Sequence, residues 1–161
     1  DWDKNWAYPF APYLDLLTLA LTEAPQGYTI VAVGSTMAPP AAARSVDVPS
    51  GYSDHLASIV GPTLSSSMRP RLAQAMAWTD HQIATAAMRS WDGAGYLVIL
   101  TDRTRVEGGF GVNWQVEQLS NRPVHSFVLG WGDPPCHSGD LVWKQPLWRA
   151  QLPLFMVPRT K

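Results

Sequence analysis

Cysteine is nearly absent from this chain: Cys136 is the single one in 161 residues. One thiol excludes an internal disulfide framework and fits a reducing, cytoplasmic compartment. Charge is scarce as well. Only 16% of residues are charged against 46% apolar, and the formal net charge is −1. With no Lys/Arg cluster, electrostatic capture of nucleic acid or of an anionic membrane has no basis. The apolar content also excludes disorder as the state of the whole chain. No apolar run approaches the roughly 20 residues of a membrane span. The histidines His55, His81, His125 and His137 lack metal-ligand spacing, so neither a metal nor a cofactor is expected.

What the chain does have is 14 prolines, 12 glycines and 8 tryptophans. They mark out one α/β domain over residues 1–161, with a Pro/Trp-rich N-terminal arm (1–11) and a Pro/Trp-rich C-terminal tail (131–161). The chain opens on Asp1 rather than methionine, which leaves room for residues upstream. Leu16, Leu17, Ala20 and Leu21 repeat at helical spacing between Pro12 and Glu23. "YTIVAV" (28–33) reads as a buried strand, and "STMAPPAAARSVDVPSGYSD" as a long loop. "SDHLASIVG" reads as a short helix capped by Ser53 or Asp54. The strongest helical signal is 70–91, where Pro70 suits a first turn and Leu72, Met76, Ile83 and Ala87 form a stripe. His81, on this helix, is expected to be a half-buried structural residue. After "DGAG" come an apolar strand (96–101), a glycine-rich turn, a helix near 112–120 and a strand over 122–130. Residues beyond 141 offer one or two strand-like pieces broken by prolines.

Strands alternating with helices, and near-continuously apolar, predict a three-layer, Rossmann-like (flavodoxin-like) α/β domain with a mainly parallel sheet. Ligands of such sheets settle beyond the carboxyl ends of the strands. Three segments leave those ends: "GSTM" after the first strand, "DRTRVEGGFGVN" after the second and "GWGDPPCH" after the third. The expected crevice therefore gathers Gly34, Ser35, Asp102, Glu107 and Asp133. In "EGGFGVNWQVEQLSNRPV" (107–124), Gly108, Gly109 and Gly111 permit close backbone approach, and the helix N-terminus that follows favours an anionic group such as phosphate. Asn113 and Glu117 share one helix face, with Trp114 and Gln118 beside it. A carboxylate, an amide and an indole there suit a sugar and a stacked base. The plainer alternative is a tight turn followed by a solvated helix face. The run is neither a Walker loop nor G-x-G-x-x-G. In "CHSGD", Cys136, His137 and Asp140 lie too close in sequence to face one another as a dyad. "VGST" lacks the second glycine of a nucleophile elbow, so Ser35 reads as a turn or phosphate contact.

The order helix, "GYLVILTD", glycine loop, "GVNWQVEQL", "SNRPVHSFVL" resembles nucleoside 2-deoxyribosyltransferase-like domains and, similarly, TIR domains, over residues 70–130. The resemblance implies a flavodoxin-like fold that cleaves N-glycosidic bonds, with a catalytic glutamate on the helix after the loop. This chain departs from both patterns there. Aligning Gly111 with the deoxyribosyltransferase glycine puts Gln115 at the nucleophile position, and aligning Gly109 puts Asn113 there. Against the TIR pattern, Glu117 follows Trp114 by three residues instead of four. An amide cannot attack an anomeric carbon or neutralise an oxocarbenium ion. Either Glu117 acts from a shifted frame, or the domain binds without catalysing, or the shared order carries no shared chemistry.

The expected function is a nucleotide- or nucleoside-binding domain that hydrolyses or transfers at an N-glycosidic bond. Glu117 is its carboxylate at the ribosyl carbon, Glu107 or Asp102 orients water or a ribose hydroxyl, Trp114 stacks, and the Gly108–Gly111 backbone holds phosphate. The alternative is a non-catalytic interaction domain or a subunit of a larger assembly, its partner a second copy or another protein held through the Trp/Pro-rich termini.

Overall fold

The computed structural model describes residues 31, 33, 46–61, 63–131 and 138–145. The chain divides into two units, Asp1–Ala32 with Gln151–Lys161, and Val33–Ala150. All described residues except Val31 belong to the second. The expected helix over 12–23, the strand over 28–33, the "GSTM" turn and both Pro/Trp-rich ends lie wholly or mostly outside the described residues.

The first helix, α1, is Tyr52–Val60. It starts ahead of the expected Ser53 or Asp54 cap, on Gly51 at φ +82° with no side-chain cap. Tertiary burial sets this boundary. Tyr52 is fully buried, stacks 5.7 Å from Phe110 and donates its hydroxyl to Asp80 at 2.7 Å, so its own turn is drawn into the helix. The second helix, α2, is Arg69–Ser90, with Pro70 in its first turn where the missing N–H costs nothing. Its buried residues are Ala73, Ala77, Asp80, Ile83, Ala84 and Ala87. The larger Leu72 and Met76 of the expected stripe flank this line, half-buried. Alanines at the centre let neighbouring helices approach closely, and bulky residues then fill the sides.

α2 is the backbone of two apolar clusters. Tyr52, Leu56, Ala73 and Ala77 join it to α1, with Val46, Val48, Leu72, Met76 and Phe110 around them. Ile83, Ala84, Val112 and Val116 join it to the third helix, α3 (Val112–Ser120), with Val33, Met88, Ile99 and Val124 around them. Burying Ile83, Val112 and Val116 stabilises the fold by about 1.5–3 kcal/mol each. Leu119, near the end of α3, lies largely in solvent.

The segment 96–101 forms no ladder among the described residues. It alternates all the same: Leu97, Ile99 and Thr101 are half-buried, with Ile99 on the α2–α3 cluster. Tyr96, Val98 and Leu100 are 93%, 69% and 72% exposed, one bare apolar row of period two.

Strands β1 (Phe127–Trp131) and β2 (Leu141–Gln145) pair in parallel, with Phe127 opposite Leu141. β1 begins later than the 122 expected from sequence. Pro123 has no N–H, and the N–H groups of Val124 and Ser126 go to the carboxylates of Glu117 (3.4 Å) and Asp140 (2.6 Å) instead of a ladder. The connection over residues 132–140 is shorter than the dozen or so usual between parallel strands. Its return is fastened by Ser126: its Oγ donates to Asp140 Oδ2 (3.0 Å), and its carbonyl accepts from Leu141 N–H (3.1 Å). Gly139 is required here, since a Cβ would sit 2.8 Å from Val128 Cγ2. No helix among the described residues is long and apolar enough to cross a membrane.

Candidate functional site

The segment 102–111 makes two short 3-10 turns, Arg103–Arg105 and Glu107–Gly109, before α3 begins. Two ionic anchors fold it. The first is buried. Asp80, with no exposed surface, accepts from Tyr52 and from Arg105 Nη1 (2.5 Å). Arg105 Nε donates to Asp102 at 2.9 Å, and Asp102 also accepts from Thr104. Burial pushes the Asp80 carboxyl up, while Tyr52 and Arg105 pull the other way. Burial and the Asp80 charge together hold the Tyr52 phenol protonated far above its ordinary range.

The second anchor ties the glycine turn to the start of β2. Glu107 Oε1 accepts from Arg103 Nη2 (2.5 Å) and from Ser138 Oγ (2.7 Å), while Gly108 N–H donates to Ser138 O (3.1 Å). Partial burial raises the Glu107 carboxyl, but the bonds from Arg103 and Ser138 outweigh it and the net shift is downward.

Gly111 is the hinge into α3. It sits at φ +66°, ψ −127°, and a Cβ there would strike the carbonyl of Arg105, whose carbon lies 2.9 Å away. Only glycine fits both the dihedrals and the contact. α3 then presents two faces. Gln115, 3% exposed, lies inward, its Oε1 2.9 Å from His81 Nδ1 and its Nε2 donating to Asp47 O at 3.3 Å. His81 is half-buried on the long helix. Asn113 and Glu117 lie on another side and open into a cleft of about 300 Å³.

Gly108 and Gly109 form one rim of that cleft, and Val124, Ser126, Gly139 and Asp140 line the side toward the sheet. Glu117 is exposed there, and its Oε1 accepts from Val124 N–H at 3.4 Å. Asn113 is 8% exposed; its amide donates weakly to Val106 O at 3.5 Å, and its Oδ1 accepts nothing among the described residues. Two hydrogen bonds from Ser126, through its N–H and its hydroxyl, hold the Asp140 carboxyl below the usual range. Among the described residues no lysine, arginine or histidine lines the cleft, and there is no cluster of metal-ligating side chains.

Of the residues singled out from sequence, Gly108, Gly109, Asn113 and Glu117 come together in this cleft. Asp102, Glu107, Gly111 and Trp114 do not line it: the first two are engaged in the anchors, Gly111 is the hinge, and Trp114 is half-buried elsewhere on α3. Gly34, Ser35, Asp133, Cys136 and His137 lie outside the described residues. Four residues carry more of the site than their sequence context indicates: Asp80, Arg105, Ser126 and Asp140. The signal for Asp80 was legible, as a lone carboxylate in the buried line Ala73, Ala77, Asp80, Ala84, Ala87. Ser126 and Asp140 meet across 14 residues and only through the parallel return. No protein-family model, curated protein or solved structure matches this chain.

Proposed function

We propose that this chain is a nucleoside- or nucleotide-binding domain that hydrolyses or transfers at an N-glycosidic bond, with the cleft beside α3 as its ligand site. The observation that carries the reading is the contrast within one helix. Glu117 opens into the cleft with Asn113, while Gln115 is buried against His81 and Asp47. Of the alignments the resemblance allows, only the shifted frame puts a carboxylate at the cleft. Glu117 would neutralise or attack the ribosyl carbon as positive charge develops there, and Asn113 would accept from a sugar hydroxyl. The three-layer, mainly parallel α/β fold belongs to this reading, supported by the β1–β2 pairing and by two helices joined through one cluster. So does a cytoplasmic setting, supported by the single cysteine. The test is release of free base from a panel of nucleosides and nucleotides. Glu117→Gln is expected to lower turnover at least about 100-fold while leaving binding within a few-fold. Equal turnover removes Glu117 from the chemistry, and absence of binding with the whole panel removes the reading.

A second reading, a non-catalytic domain that self-associates, is supported by the exposed row Tyr96, Val98 and Leu100. Sedimentation separates the two: Val98→Asp is expected to dissociate a dimer, and a monomeric wild type rejects self-association.

A further inference from the structure

The residue chemistry of the cleft points beyond a generic nucleotide. We propose that Asp140 is a specificity determinant, and that the cleft takes an unphosphorylated N-glycoside, bound through sugar hydroxyls, in preference to a nucleoside phosphate. This rests on the reading of the cleft as a nucleoside or nucleotide site.

A glycine turn before a helix ordinarily holds phosphate because its N–H groups point outward, unpaired. Those of the two glycines on the rim are engaged here. Gly108 N–H donates to Ser138 O at 3.1 Å, and Gly109 N–H to Val106 O at 3.3 Å. The neighbouring cations are engaged too: Arg103 on Glu107, and Arg105 between Asp80 and Asp102. What remains on the lining is rich in acceptors. Among the described residues it offers the carboxylates of Glu117 and Asp140 and the Oδ1 of the nine-tenths buried Asn113, which accepts from none of them. Sugar hydroxyls donate to such a surface, whereas a phosphate brings acceptors and negative charge to groups that are acceptors and negative already.

Asp140 is the carboxylate best placed to discriminate. The residue is exposed, and its Oδ2 accepts from Ser126 N–H at 2.6 Å and Ser126 Oγ at 3.0 Å, which hold the carboxylate at the cleft. His125 is near enough to favour the charged form of Asp140 but does not line the cleft.

The experiment is calorimetric titration of the full chain with adenosine, guanosine, cytidine and uridine, and with their 5′-monophosphates. The wild type is expected to bind its preferred nucleoside at least about tenfold more tightly than the monophosphate. Asp140→Asn keeps one acceptor for Ser126 and is expected to narrow that ratio to about threefold or less by strengthening the monophosphate. Should the variant fail to fold, wild type in rising salt serves instead, because screening of the repulsion narrows the ratio in the same direction. A monophosphate bound as tightly as the nucleoside, or a ratio unmoved by both Asp140→Asn and salt, overturns the inference and leaves the site reading standing. Absence of binding by every nucleoside and monophosphate overturns both.

Discussion

Replacing Asp80 with asparagine tests the anchor beneath the glycine turn. The carboxylate has no exposed surface and serves Tyr52 on one oxygen and Arg105 on the other. Asparagine keeps the shape but loses the charge, and turns an NH2 toward one of two donors. Removing one partner of a fully buried ion pair costs about 3–5 kcal/mol. Arg105 is 19% exposed and keeps Asp102, so roughly half of that applies here. The opposed donor adds about 1–2 kcal/mol, for a total near 3 kcal/mol. Urea unfolding with a slope of about 2 kcal/mol/M should therefore move the midpoint down by about 1.5 M at unchanged slope. Tyr52→Phe removes one bond to a charged group and should cost about 1.5–3 kcal/mol. The double variant should cost clearly less than the sum, because the two changes act on one carboxylate. A midpoint shift under about 0.5 M for Asp80→Asn, or strict additivity with Tyr52→Phe, would refute the network as the anchor of this turn.

Two further outcomes follow from the same geometry. Gly111→Ala should destabilise by about 3 kcal/mol or more, since it adds a collision with the Arg105 carbonyl to an unfavourable left-handed conformation. Gly109→Ala, also at positive φ but with open space around its Cβ, should cost only about 1–2 kcal/mol, and equal midpoints for the two would contradict the contact. The acid limb of stability should report Glu107 and Asp140. Both carboxyls titrate lower in the folded chain than in the unfolded one, so their contribution is present above about pH 4.5 and is lost as pH falls through their folded values. Ser126→Ala removes one of the bonds to Asp140, so its stability deficit at pH 7 should shrink by pH 3; a deficit that grows in acid would reverse the assigned sign.

The amino-acid order by itself determined the features that depend on near neighbours. Pro70 followed by a helical repeat, the glycine run before residue 112, and the pairing of Asn113 with Glu117 on one side of a helix are all set within a few residues. Propensity and the 3.6 period act at that range, and the structure has them there. Boundaries were already less legible. α1 begins on Tyr52 because a partner 28 residues away buries that side chain, and β1 begins at Phe127 because distant carboxylates take the preceding N–H groups. Only the tertiary structure decided which polar groups are free to meet a ligand. Glu107 and Asp102 read as site carboxylates from their place beside the glycines, yet each is engaged by an arginine. Gln115 and Glu117 are two residues apart, and packing against His81 and Asp47 holds one inward while the other opens to the cleft. Asp140 reached the same cleft by the return of β2 onto β1, a long-range pairing that no local pattern encodes.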